Sequence, residues 1–366
     1  MKDVTYRSVK SKKVYILGAG CSVTYGYPLA KDFFDALKTY QATLERRTNC
    51  DRLKQSLTNT IGLIEKHRAP TTDRLVRWIE DEVARQKEPL GVFQAPECNQ
   101  LDQKAWDKIR DAKIVTVALF LEREAAAWQS ELARYEEFLH IVFNNSRNSD
   151  ALKSTADCVL SFNYDRLFEM AFIDYFQLRP QENCYAQNWL NAGLDFSRNQ
   201  ASDFASDQFC FLKLHGTAAM QVADKHGQAT YGMNALRKTE WIVDDNLFWP
   251  VERKASLLQR ENPEPLIVFP HEKERAREAN TAFNFDSYIR RTWDQAGTVI
   301  EDAEQIWAIG YSFDPTDRKS VFELLRKNKA GCDIVVQNPD AEKICNELKL
   351  RYSDLSPRLK PLAGVF

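Results

Sequence analysis

A glycine-rich turn near the start of the chain has the residue types of a phosphate-binding loop. Residues 14–17 form a short apolar run that predicts a buried strand, and Gly18-Ala19-Gly20 follows it directly. A helix after this turn would direct its unpaired N–H groups and positive dipole end at the turn, which suits a pyrophosphate. Ser22 would add a hydroxyl donor to the same phosphate. Because Val23 replaces the third glycine of a dinucleotide fingerprint, a tight turn without a ligand is the alternative interpretation.

Other polar groups follow further predicted strands. Asn163 and Asp165 come directly after one apolar run, His215 after the next, and Gly310-Tyr311-Ser312 and Asn338 after two later ones. Each also has a structural interpretation: Asp165 as a helix cap, His215 as a packed side chain, the glycine as part of an ordinary turn. Since ligands of parallel sheets bind outside the C-terminal ends of the strands, their shared position indicates one ligand site.

The elements that would position these groups alternate between strand and helix. Strands are predicted at 14–17, 158–162, 209–214, 266–269, 306–309 and 333–336, and helices after Pro28 and at 166–176, 285–303, 317–327 and 341–350. This alternation predicts an α/β fold, a Rossmann-like parallel sheet with helices on both faces.

A large helical insertion interrupts this alternation. Residues 44–143 contain no convincing strand pattern, and Thr71-Thr72-Asp73 resembles a helix N-cap. The helical pattern at 105–143 would span about 60 Å as one helix, so a break is expected within it. We therefore expect a Rossmann-like domain formed by residues 1–43 and 151–366, with a helical subdomain inserted at residues 44–150.

Composition narrows the class of protein. The 366 residues carry a net charge of -2, so no basic surface suggests a nucleic-acid partner. The eight cysteines include no C-x-x-C pair, which favours reduced thiols in a cytoplasmic protein. The longest apolar run, residues 114–121, is too short to cross a membrane. We expect a soluble cytoplasmic protein with no membrane contact.

The motifs together resemble those of the sirtuin family. Gly18, Ala19, Gly20, Ser22, Gly26 and Pro28 form the string G-A-G-x-S-x-x-x-G-x-P, which is similar to the opening motif of that family. The strand end with Asn163 and Asp165, then His215-Gly216, then Gly310-Tyr311-Ser312, then Asn338 follow in the family's order. The chain resembles in particular the sirtuin-like NADases of bacterial anti-phage defence systems.

The resemblance implies binding of NAD+ and cleavage of its nicotinamide–ribose bond. Asn163 would hold the ribose hydroxyls or the attacking water, His215 would act as base, and Asp165 would orient its neighbours or stabilise the developing cation. The turn from Gly18 to Ser22 would hold the pyrophosphate, and Ser312 and Asn338 would contact the adenosine half. The chemistry suits such a site, because the cationic nicotinamide leaves as a neutral base and needs no general acid.

Two departures separate the chain from sirtuin deacylases. Pro28 is followed by Leu29-Ala30-Lys31 instead of Asp-Phe-Arg, and the four-cysteine zinc ribbon is missing, so no metal is expected. Both departures argue against protein deacylation and favour a plain NAD+ hydrolase. The resemblance implies that this hydrolase depletes NAD+ in abortive infection. A non-catalytic NAD or nucleotide sensor and an ADP-ribosyltransferase are the alternatives. The resemblance also implies a homo-oligomer and a separate defence partner such as a HerA-type ATPase.

Overall fold

The computed structural model describes residues 12–69, 71–72, 74–79, 103–127, 132–148, 150–177, 209–222, 229–231, 241–242, 249–250, 264–269, 285–315 and 317–366. The strands are β1 (Lys13–Leu17), β2 (Cys158–Ser161), β3 (Cys210–Lys213), β4 (Gly216–Val222), β5 (Ala229–Tyr231), β6 (Trp241–Ile242), β7 (Trp249–Pro250), β8 (Glu264–Ile267), β9 (Gln305–Ile309), β10 (Ile334–Gln337) and β11 (Leu359–Leu362). The helices are α1 (Phe33–Leu44), α2 (Asp51–His67), α3 (Gln103–Ala127), α4 (Ala133–Val142), α5 (Asp150–Ser154), α6 (Leu167–Tyr175), α7 (Phe285–Glu301), α8 (Arg318–Arg326) and α9 (Ala341–Arg351), and residues 74–79 are also helical.

A six-stranded parallel sheet confirms the predicted α/β, Rossmann-like fold. Its strand order is β11-β10-β9-β1-β2-β3, and every described pairing between neighbours is parallel. The chain builds the sheet outward from β1 in one direction and then returns to place β9 on the other side of β1. The point where the order reverses, between β1 and β9, is where such sheets form a crevice for ligands.

Helices cover both faces of the sheet because the side chains of β1 alternate in direction. Val14 and Ile16 belong to a core that includes residues of α7, α8 and α9. Tyr15 and Leu17 belong to a second core with residues of α4 and α6. All four β1 side chains are buried, which explains why β1 is a continuous apolar run.

A third core joins the first helices to a smaller sheet. Residues of α1, α2 and α3 pack together with Ile267 and Phe269, at the end of β8. The apolar residues of α1 recur at helical spacing, and Phe33, Leu37 and Leu44 are buried there. Since α1 packs with the inserted helices and α4 packs against the sheet, the domain boundaries at residues 43 and 151 stay a prediction.

Two expectations about single elements were wrong, and one strand was not predicted. The run at 266–269 is not a strand of the parallel sheet, because β8 pairs antiparallel with β4 in the order β5-β4-β8. The edge strand β11 was not predicted, since Pro361 and its exposed neighbours hide its pattern. No long helix starts at the glycine turn, where Ala19–Cys21 and Val23–Tyr25 form short 3-10 turns and α1 begins only at Phe33.

The long helical pattern at 105–143 divides, as expected, into α3 and α4. The thiols of the described cysteines form no disulfide bond. Within the described ranges, no helix is both long and apolar enough to cross a membrane.

Candidate active site

A cavity of about 760 Å³ opens at the C-terminal edge of the parallel sheet. The loops after β1, β2, β3, β9 and β10 all contribute to its lining. The predicted site residues that line it are Ala19, Gly20, Ser22, Pro28, Asn163, Asp165, His215, Gly310, Tyr311, Ser312 and Asn338. Gly18 and Gly26 are not among the lining residues.

Glycines lock the loop after β1 to the loop after β9. Gly18 N–H donates to Ile309 O at 3.0 Å, and Gly20 N–H donates to Gly310 O at 2.8 Å. A Cβ on Gly18 would lie 2.6 Å from Tyr311 Cα, so only glycine fits there. These two N–H groups are therefore used within the protein, and the predicted helix N-terminus behind them is replaced by 3-10 turns.

Gly26 ends the second of those turns. Its φ of 83° is in the left-handed region, and a Cβ there would meet open space. The glycine therefore serves the backbone conformation of the loop that leads to Pro28.

Ser22 lies at the centre of a buried network and does not face outward as a phosphate donor. Its Oγ donates to Asp165 Oδ2 at 2.7 Å, and this uses its single proton. Tyr135 O–H, at 3.3 Å, and Asn163 Nδ2, at 3.3 Å, therefore donate to Ser22 Oγ. Nδ2 of Asn163 also donates to Gly18 O at 3.0 Å. The amide of Asn163 is thereby fixed, and its Oδ1 is left for a ligand in the cavity.

The contacts of Asp165 fit both of its interpretations, as a helix cap and as a residue of the site. Its Oδ1 accepts the N–H of Leu167 at 3.1 Å, at the start of α6, while its Oδ2 holds Ser22. Lys213 Nζ donates to the carbonyl of Asp165 and lies 3.3 Å from Glu169 Oε1. Burial raises the pKa of Glu169, and the positive charge of Lys213 acts in the opposite direction. Lys213 thus holds the Asp165 backbone in place.

His215 lies between β3 and β4 and is 3% exposed. Its Nε2 is 3.2 Å from Oδ1 of Asp317, which precedes α8. Val268 N–H donates to the His215 carbonyl at 2.9 Å, and the Phe162 ring meets the imidazole edge-on at 5.1 Å. Because a carboxylate beside an imidazole fixes its orientation and stabilises the positive charge that forms when the ring accepts a proton, this pair suits a general base.

The remaining predicted residues lie on the β9 and β10 side of the cavity. Tyr311 is buried, stacks on Phe162 at 4.6 Å and directs its O–H towards Asp317 Oδ2 at 3.5 Å. Ser312 is exposed in the same loop. Asn338 is half-buried, and its Oδ1 accepts the Asp340 N–H at 3.0 Å at the start of α9.

Sequence reasoning did not identify two residues of the site. Tyr135 lies within the predicted helical pattern at 105–143; it is buried, and its hydroxyl lies 3.3 Å from Ser22 Oγ. Asp317 is the first residue of the predicted helix at 317–327, and its contact with His215 was not predicted. A carboxylate five residues after Ser312, at the start of a predicted helix, was the available signal.

Among the described residues, no group of three or more His, Cys, Asp or Glu side chains could hold a metal ion.

Comparisons with known proteins give structural neighbours only. No protein-family model matches the chain, and no curated protein matches it. Two ADP-ribose complexes of mutants of a Sir2 homologue are each 14% identical, with a TM-score of 0.35, and cover 97% of this chain and 88% of theirs. Sir2Tm bound to a propionylated peptide is 12% identical, with a TM-score of 0.32 and 94% of each chain covered.

Proposed function

We propose that this protein is an NAD+ hydrolase that cleaves the bond between nicotinamide and ribose. One observation carries the proposal: Asn163, with its amide fixed by Ser22, and His215, paired with Asp317, line a single cavity at the reversal point of the parallel sheet. The cavity volume of about 760 Å³ falls within the range of ligand pockets, about 300–1,000 Å³.

The residues of the cavity suit this chemistry. Nicotinamide leaves as a neutral base, so the site has to position the ribose and accept one proton as the attacking hydroxyl or water reacts. Asn163 Oδ1 would accept a hydrogen bond from that hydroxyl or water. His215 would take the proton, and Asp317 would stabilise the imidazolium that forms. Because both oxygens of Asp165 are engaged, its role is to orient Ser22 and, through it, Asn163.

The biological setting proposed here comes from the motif resemblance. The hydrolase would deplete NAD+ during abortive infection as part of anti-phage defence. A separate trigger, such as a HerA-type ATPase, and assembly of several copies of this chain belong to the same proposal. Size determination and co-purification from infected and uninfected cells would test both points.

Product analysis tests the activity. Purified protein is incubated with NAD+ labelled in its adenosine half, and nicotinamide and ADP-ribose are separated and quantified. Equal amounts of the two products support hydrolysis. Label transferred to a macromolecule would instead indicate an ADP-ribosyltransferase. NAD+ bound and recovered intact, with candidate partners present, would indicate a sensor.

A further inference from the structure

Part of the cavity wall comes from helices outside the parallel sheet. Thr72, Thr116 and Phe120 line the cavity, and the last two lie one turn apart on α3. The Phe120 ring contacts the Tyr164 ring with centroids 5.8 Å apart, and Tyr164 lies 6.0 Å from the ring of His215. A continuous wall therefore runs from the proposed catalytic histidine to the two threonines.

The two threonine hydroxyls form a hydrogen-bond chain with one possible direction. Thr116 Oγ1 donates its single proton to the carbonyl of Ala112 at 2.8 Å. The 2.8 Å contact between Thr72 Oγ1 and Thr116 Oγ1 then requires Thr72 to be the donor. With its proton used, Thr72 Oγ1 can offer only lone pairs to the cavity. A ligand group that contacts it has to be a hydrogen-bond donor.

An ion pair connects this wall to the opposite side of the cavity. Arg74, two residues after Thr72, lies 4.0 Å from Asp314 in the loop after β9. Asp314 itself lines the cavity. The contact keeps the segment that carries Thr72 beside the loop after β9.

We propose that Thr72 Oγ1 accepts a hydrogen bond from the carboxamide NH₂ of the nicotinamide group, whose ring packs against Phe120 and Tyr164. This inference rests on the proposed binding of NAD+ in the cavity. The apolar aromatic wall suits a flat ring, and an acceptor at its end suits an amide. The same acceptor disfavours nicotinic acid, because a carboxylate has no proton to donate and would face the threonine lone pairs.

Binding measurements on four proteins test this assignment. Calorimetry with NAD+, nicotinic acid adenine dinucleotide and ADP-ribose is carried out on the wild type, Thr72→Val, Thr72→Ser and Thr60→Val. Valine keeps the shape of threonine but removes the acceptor, and serine restores it. Thr60 is an equally buried threonine of α2 outside the cavity lining, which makes it the matched control.

We expect the wild type to bind NAD+ about tenfold more tightly than the nicotinic acid analogue. Thr72→Val should lower NAD+ affinity about three- to tenfold, the range for one hydrogen bond, and leave ADP-ribose affinity unchanged. Thr72→Ser should restore the preference, and Thr60→Val should keep it. The assignment would be overturned if Thr72→Val kept the wild-type ratio of NAD+ affinity to nicotinic acid analogue affinity. It would also be overturned if the variant lost as much affinity for ADP-ribose as for NAD+.

Nicotinamide release, measured on the same proteins, separates the two proposals. If the wild type prefers NAD+ over the nicotinic acid analogue through Thr72 but releases no nicotinamide, the hydrolase is rejected and the nicotinamide site is retained. Release with an unchanged preference would reject the nicotinamide site alone. Absence of NAD+ binding by the wild type would reject both.

Discussion

At the scale of single residues, the orientation of Asn163 depends on where one proton lies. Ser22 gives its proton to Asp165 and accepts from Asn163, so the amide nitrogen points inward. The sequence predicted that Asn163 and Asp165 would lie near the loop after β1, because parallel strands end at one edge. It could not predict which group donates each hydrogen bond, since this depends on side-chain positions that differ by a few tenths of an ångström.

Ser22→Ala should therefore impair catalysis in addition to lowering stability. We expect kcat for NAD+ cleavage to fall about tenfold, equivalent to about 1.4 kcal/mol, because the amide of Asn163 loses the acceptor that fixes it. Ser56→Ala is the matched control: Ser56 is buried and donates to Asp111 Oδ1 at 2.7 Å, away from the cavity lining. Both variants should lose about 1–3 kcal/mol of stability, from urea unfolding. An equal kcat in the two variants would argue against the orienting role.

The buried Glu169 beneath the site predicts a dependence of stability on pH. Burial raises its pKa above the ordinary 4.5, so the folded protein holds a proton that the unfolded chain has released. Stability from this protonation is present at low pH and is lost as the pH rises from 4.5 through the raised pKa. The unfolding free energy of the wild type, relative to Glu169→Gln, should fall by about 1.4 kcal/mol for each pH unit between those two values. Urea unfolding at several pH values measures this, and a rising difference would contradict it.

At the scale of elements, the site depends on close approach between the loops after β1 and β9. Gly310 has a φ of 60°, and a Cβ there would lie 2.6 Å from the Cys21 nitrogen. Gly331 has a similar φ of 63° but open space around its Cβ position. A substitution at either glycine would therefore introduce backbone strain, but only a substitution at Gly310 would also introduce a steric clash.

Gly310→Ala should destabilise the protein more than Gly331→Ala. We expect Gly331→Ala to cost about 1–2 kcal/mol of unfolding free energy from strain alone. Gly310→Ala should cost more and should also lower NAD+ cleavage, because the clash separates the two loops that carry Ser22 and Tyr311. Urea unfolding and activity assays on both variants measure this, and equal effects on stability and activity would contradict the proposed lock.

The sequence predicted most elements of the parallel sheet because its strands are short, apolar and buried. It could not assign the run at 266–269 to the correct sheet, since an apolar run does not reveal whether its neighbour is parallel or antiparallel. It correctly predicted a helix after Pro28, but it also predicted that a helix N-terminus would face the glycine turn, because a glycine turn in a βαβ unit usually leads into a helix. The 3-10 turns there leave room for the loop that ends at Pro28.

At the scale of the whole molecule, the cavity joins residues that are far apart in the chain. The predicted strand ends converge because one parallel sheet brings them to the same edge. The contributions of Tyr135 and Thr72 were not predictable, because they depend on how the inserted helices pack against that edge. Their residue types, an aromatic and a capping threonine, fit ordinary helix positions equally well.

The most direct test of the proposed function is nicotinamide release from NAD+ by the purified wild type and Asn163→Ala. The variant loses the side chain whose oriented amide oxygen is assigned to the ribose hydroxyl or the water. We expect release to fall at least about 100-fold, the scale for removing one positioned polar group, while the protein remains folded despite losing the hydrogen bonds from Asn163 to Gly18 and Ser22. Release at the wild-type rate from Asn163→Ala, or no release from the wild type with its partners present, would contradict the proposed function.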